Sequence, residues 1–127
     1  MKIRFLNEMA RVGWVPTNTT KTIEVYVRTD DEGKIPHFHV RKYGRNNDSE
    51  WDVPIKYESA EYFHHGYYTD IISTKVAKQL NAMLKENNPK DPGRTYWESA
   101  IVAWNSNNSD VELPITLEQP NYGTINE

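Results

Sequence analysis

The chain has no cysteine. That excludes disulfides, a thiolate nucleophile and cysteine-ligated zinc, and it fits a reducing compartment. No apolar run approaches membrane-spanning length, and the opening stretch MKIRFLNEMARVGW lacks the apolar core of a secretory signal. The expectation is a soluble, cytoplasmic protein with no membrane attachment. No glycine-rich phosphate loop is present among the 6 glycines. Basic residues also run out early. Beyond Arg94 there is none, while Glu98, Asp110, Glu112, Glu118 and Glu127 carry a local charge of -5. Residues 1–45 hold nine Lys/Arg against five Asp/Glu, a local +4. An acidic stretch of this kind either folds over a basic face, meets a partner, or is simply solvated.

What is abundant is aromatic. The 4 Trp, 8 Tyr and 3 Phe supply large units for burial in 127 residues, the usual length of one domain. Residues 1–118 read as a single domain and residues 119–127 as a frayed acidic tail.

Three segments alternate apolar and polar residues: Lys21 to Arg28, Pro36 to Tyr43 and Glu50 to Tyr57. Each reads as a half-buried strand. Turns at Asp30 to Gly33 and at Gly44 to Asp48 join them into an antiparallel meander. Pro54 places the last strand at a sheet edge. Lys2 to Leu6 is a candidate fourth strand. Downstream, Ser73 or Thr74 caps a helix whose Val76, Leu80, Met83 and Leu84 fall at helical spacing, ending near Asn87-Asn88-Pro89. Thr95 and Glu98 form a capping-box pattern ahead of a second helix with Trp97, Ala100, Ile101 and Trp104 on one stripe. Asn105 to Asp110 ends it, and Val111 to Leu117 reads as a short strand or an extended segment lying on the core. The fold class is therefore α+β: a three- to four-stranded antiparallel meander with two helices packed on one face.

The alternation also divides the faces. Ile23, Val25, Val27, Phe38, Val40, Trp51, Val53 and Ile55 belong under the helices. Glu24, Tyr26, Arg28, His37, His39, Arg41, Tyr43, Asp52 and Lys56 belong on the other side, expected to be open to solvent.

At Ile35-Pro36-His37-Phe38-His39-Val40 the chain resembles a family of small prokaryotic and phage proteins of unknown function, marked by a Pro-His-Phe-His-Val/Ala strand. The resemblance covers roughly residues 21–114, with Trp51 to Ile55, Val76 to Leu84 and Trp97 to Trp104 resembling the family's later strand, helix and tryptophan region. The chain departs from it in a longer N-terminal segment, a loop around Tyr62 to Tyr68 and the acidic tail. The resemblance implies the fold, and a second small protein as partner in a toxin–antitoxin-like gene pair.

Several chemistries compete for the polar face. His37 and His39, two apart on a strand, can point to one metal ion, with Asp52, His64 or His65 as a third ligand. The ligand set is incomplete, so no metal and no cofactor are expected; the histidines are expected instead to hydrogen-bond to Tyr26, Asp52 or backbone. His37, His39 and Asp52 are the catalytic candidates of a His-dependent hydrolase, nuclease-like, although no activated nucleophile accompanies them. Arg28, Lys34, Arg41, Lys42 and Arg45 could meet phosphates with Tyr26 and Tyr43 as stacking platforms, but the net charge of -3 argues weakly for nucleic acid. The reading preferred from sequence is a non-enzymatic binding or regulatory module acting through a protein partner or self-association. Its contact residues are Tyr26, Arg28, His37, His39, Arg41 and Tyr43 on the sheet, with Tyr67 and Tyr68 in the aromatic loop.

Overall fold

The computed structural model describes residues 9–15, 22–28, 35–44, 49–62 and 72–125. Four strands, β1 (Met9–Val15), β2 (Ile23–Arg28), β3 (His37–Tyr43) and β4 (Ser49–Lys56), pair antiparallel in chain order. Two helices follow, α1 (Thr74–Leu84) and α2 (Tyr96–Asn107), and a 3₁₀ turn at Tyr122–Thr124 ends the described chain. The α+β meander expected from the alternation is the observed fold. No helix among the described residues is long and apolar enough to cross a membrane.

Register explains the two faces. Val25 pairs with Val40, Val40 with Val53 and Phe38 with Ile55, so the apolar set stacks on one side. Each of these side chains is fully buried, and they form one core with Leu80, Leu84, Trp97, Ile101 and Trp104. Pro54 does sit in an edge strand, β4, where its missing N–H is tolerated. The helix starts are as the sequence dictates. Ser73 Oγ accepts the Val76 N–H, and Thr95 and Glu98 complete a reciprocal capping box.

One strand was not anticipated. The fourth strand is Met9–Val15, whereas Lys2 to Leu6 lies outside the described residues. A bulge between Arg11 and Gly13 interrupts its pairing with β2 and breaks the simple alternation. Gly13 is needed there for space. A Cβ at that position would come within 2.8 Å of both Met83 Cε and Tyr96 Cε1.

The C-terminal segment is packed, not frayed, as far as Ile125. Tyr122 is fully buried, and its hydroxyl donates to the carbonyls of Lys56 (2.8 Å) and Tyr57 (3.1 Å). Its backbone N–H donates to Asn81 Oδ1, and the Gln119 amide donates to Asn81 as well. An aromatic ring with these partners outweighs the entropy of fixing a short tail. The preceding stretch is extended on the core, held by Trp104 Nε1–H to Val111 O (2.7 Å), Trp97 Nε1–H to Leu117 O (2.8 Å) and the Asn105 side chain to both backbone groups of Leu113.

Candidate functional site

Cross-strand register brings the polar residues of β1 to β4 together. Tyr26 pairs with His39, Glu24 with Arg41, Arg41 with Asp52, Arg11 with Tyr26 and Trp14 with Glu24. Around them runs a continuous train of rings and guanidinium groups. The His37 ring is 5.6 Å from Trp104 and 5.2 Å from His39, and His39 stacks on Tyr26 at 5.1 Å. Arg41 lies over Tyr26 (4.4 Å) and Tyr43 (4.9 Å), Tyr43 is 6.1 Å from Trp14, and Arg11 lies over Trp14 at 4.6 Å. Such stacks and cation–π contacts shield one another from water.

The face expected to be open is therefore closed at its centre. Glu24 is 0% exposed, Tyr26 1%, His37 1% and His39 6%. His37 reaches the helical layer at Trp104, and the β2–β3 ladder stops two residues short of it, at Tyr26 and His39. Its Nδ1–H donates to Ile35 O at 2.8 Å. Tyr26 and both histidines are thus interior residues, not surface contacts, and the Tyr26 ring, already engaged by His39 and Arg41, offers no platform for a base. Arg28 keeps an exposed side chain, while Arg41 and Tyr43 are half-buried. Tyr67 and Tyr68, with His64 and His65, lie outside the described residues.

Two carboxylates organise the face. Glu24 accepts from Arg11 Nε, from Arg41 Nη2 at 2.8 Å and from the Tyr43 hydroxyl at 2.8 Å. Burial alone would raise its pKa, but these three hydrogen bonds and the Arg11 charge outweigh that and hold the carboxyl below its ordinary 4.5. Asp52 accepts from His39 Nδ1–H at 3.1 Å and from the Tyr26 hydroxyl, with Arg28 at 3.7 Å. Burial again opposes the charge, and His39, Tyr26 and Arg28 together carry the Asp52 pKa below 3.8. The Tyr26 hydroxyl is pushed far above its ordinary 10, first by burial and then by Asp52.

His39, held at Nδ1 by a carboxylate, has the orientation of a general base, yet burial leaves little room for a substrate at its other nitrogen. Among the described residues no group of three or more His, Asp or Glu is placed to hold a metal ion.

A second feature escaped the sequence altogether. A cleft of about 510 Å³ lies between β1 and α2, with Trp14 and Tyr96 among its walls. Its two sides are more than seventy positions apart in the chain, so no local motif announces it. The chain matches no family model, no curated protein and no solved structure.

Proposed function

We propose that this chain is a non-enzymatic binding module, acting through a protein partner or a second copy, in which the His/Tyr face is scaffold. The observation that carries this reading is the closure of that face. Glu24, Tyr26 and His39 are buried and bonded to their neighbours, and both carboxylates are held in their charged form by specific donors. A catalytic acid or base needs contact with its substrate, and a pKa near the working pH favours proton transfer; a buried Glu24 and a half-buried Asp52, each held below its ordinary value by its donors, fit structural roles. Binding then falls to the rim of the sheet and the cleft beside β1. The gene-pair arrangement implied by the family resemblance supplies a fitting class of partner, a second small protein.

One observation favours a second reading. His39 and Asp52 form the orienting half of a catalytic dyad at 3.1 Å, the arrangement of a His-dependent hydrolase. The two readings separate in a paired experiment. Sedimentation velocity of the pure protein, alone and with proteins retained from native-cell extract, is expected to show a stoichiometric complex or a dimer. Hydrolysis of RNA, DNA and simple esters is expected to stay at background for wild type and His39→Gln alike. Turnover that vanishes in His39→Gln would overturn the module reading and install the dyad.

A further inference from the structure

The sheet has two edges of different character. β4 carries Pro54 and is bridged beyond its pairing with β3 by the contact of Ile55 with Tyr62. β1 contains no proline, and among the described residues its one strand neighbour is β2. The cleft touches four consecutive residues of β1, Arg11 to Trp14. The bulge between Arg11 and Gly13 breaks the alternation of β1, and the cleft touches residues of both its faces, Arg11 and Trp14 from the polar side and Gly13 from the side of the helices, as a groove along the edge of the strand does. Its opposite wall is one face of α2: Tyr96, Ser99, Val102 and Ala103, spaced at helical intervals. With Val12 bulged out of the ladder, Arg11 to Trp14 cover three paired positions, about 7 Å at ~3.3 Å per step. Tyr96 to Ala103 spans about 10 Å at ~1.5 Å per residue. A strand edge facing a helix across a groove is the geometry in which an extended peptide adds a strand and seats alternate side chains.

Resting on the protein-binding reading above, we infer that β1 takes up an extended, acidic segment of a partner protein as a fifth strand, with apolar side chains entering the cleft. Val12, Tyr96, Val102 and Ala103 provide the apolar lining. The charge at the rim selects the sign. Lys90 lines the cleft, is exposed and has no ion pair among the described residues. Arg11 also borders it with half its side chain exposed, and among the described residues the carboxylate that balances it, Glu24, is shared with Arg41. Asp91, the carboxylate of the lining, is committed to Arg94 (3.0 Å) and to the Ser99 hydroxyl (2.9 Å). A second copy docked edge to edge would bring two Arg11 and two Lys90 side chains together, a like-charge contact that an acidic partner avoids.

The probe is a phage-displayed library of random eight-residue peptides, selected on the immobilised protein. Peptides that combine acidic residues with alternating apolar ones are expected to be enriched. On titration they should shift the backbone amide resonances of residues 9–15. Methylating alternate amide nitrogens of a selected peptide should abolish binding, since strand addition needs those N–H groups. Lys90→Glu, a change at an exposed position, should leave thermal unfolding in place while weakening the peptide about tenfold or more. No enrichment, enrichment of basic peptides, an N-methylated peptide that binds equally well, or shifts that spare β1 would each overturn the inference. A single-stranded RNA oligonucleotide or a second copy of the chain perturbing β1 in the peptide's place would do the same. If the peptide arm fails while a stoichiometric protein complex still forms, strand addition alone falls; if no complex or dimer forms at all, the module reading falls with it.

Discussion

Glu24→Gln is the most informative single change, because it removes a charge while preserving size. In the wild type the carboxylate is buried beneath Arg11, Arg41 and Tyr43. Removing one partner of a fully buried pair costs about 3–5 kcal/mol. Here the Arg11 side chain is 50% exposed and that of Arg41 20%, so water recovers part of the loss. The expected cost at pH 7 is about 2–3 kcal/mol, and for a domain of this size each kcal/mol moves Tm by about 3–5 °C. The pH dependence gives a sharper test than the magnitude. The folded pKa of Glu24 lies below the unfolded value of about 4.5. Its contribution is therefore fully present above 4.5 and is lost as pH falls below that value through the folded pKa, because the unfolded chain takes up the proton first. Urea unfolding at pH 7, 5, 4 and 3 should show wild-type stability declining below about 4.5, with the gap to Glu24→Gln narrowing over the same interval. Asp52, also depressed, adds a decline below 3.8 that both proteins share. A variant that tracks the wild type at a constant gap down to pH 3 would refute the role assigned to the Glu24 charge.

Two further substitutions test the packing. Trp104→Ala removes a fully buried indole that touches His37 and Tyr57 and holds Val111 O, and it is expected to destabilise by about 3–5 kcal/mol in denaturant unfolding. Tyr122→Ala is expected to cost a similar amount, about 3–5 kcal/mol, and to increase hydrogen exchange along α1 near Asn81; a loss under 1 kcal/mol would mean the terminal turn is not part of the core.

The parts of the fold that were legible are those whose signal is local. β2 carries an uninterrupted period of two, β3 and β4 carry it up to the irregularity at Lys42 and Tyr43, and the caps of α1 and α2 lie within four residues of the turns they stabilise. β1 lacked that signal. Its bulge at Arg11–Gly13 shifts the phase midway, and MARVGWV then reads as no strand pattern. That one omission spread. With β1 unplaced, Glu24 had no visible partner in Arg11 and Tyr43 no visible neighbour in Trp14, so the polar face read as an open surface. Alternation reports which side of a sheet a residue occupies; it does not report whether its neighbours close over it. The hydrogen bond of His39 to Asp52 was expected from their shared face, and it is present as a diagonal contact, since register sets Asp52 opposite Arg41. Tyr122 was illegible for a different reason. Its partners Asn81, Lys56 and Tyr57 lie 41, 66 and 65 positions away, beyond any periodicity.

The closed face and the cleft are mechanically connected through β1. Arg11 reaches inward to Glu24 while its guanidinium covers Trp14, and Trp14 in turn lies against Tyr43 of β3. From the other side, Gly13 admits Met83 and Tyr96 against the strand backbone. β1 is thus fixed on both faces by side chains from four other elements, β2, β3, α1 and α2, although it lies at the edge of the sheet. Edge strands fray readily when little holds them, and an incoming strand would then have to order two chains at once. A pre-ordered edge removes that entropic cost, so more of the contact energy appears as affinity. On this view the density of histidine, tyrosine and arginine on the sheet is not a binding patch turned inward by accident. It is the support that holds β1, bulge included, in place beside the cleft where the partner segment is proposed to pair.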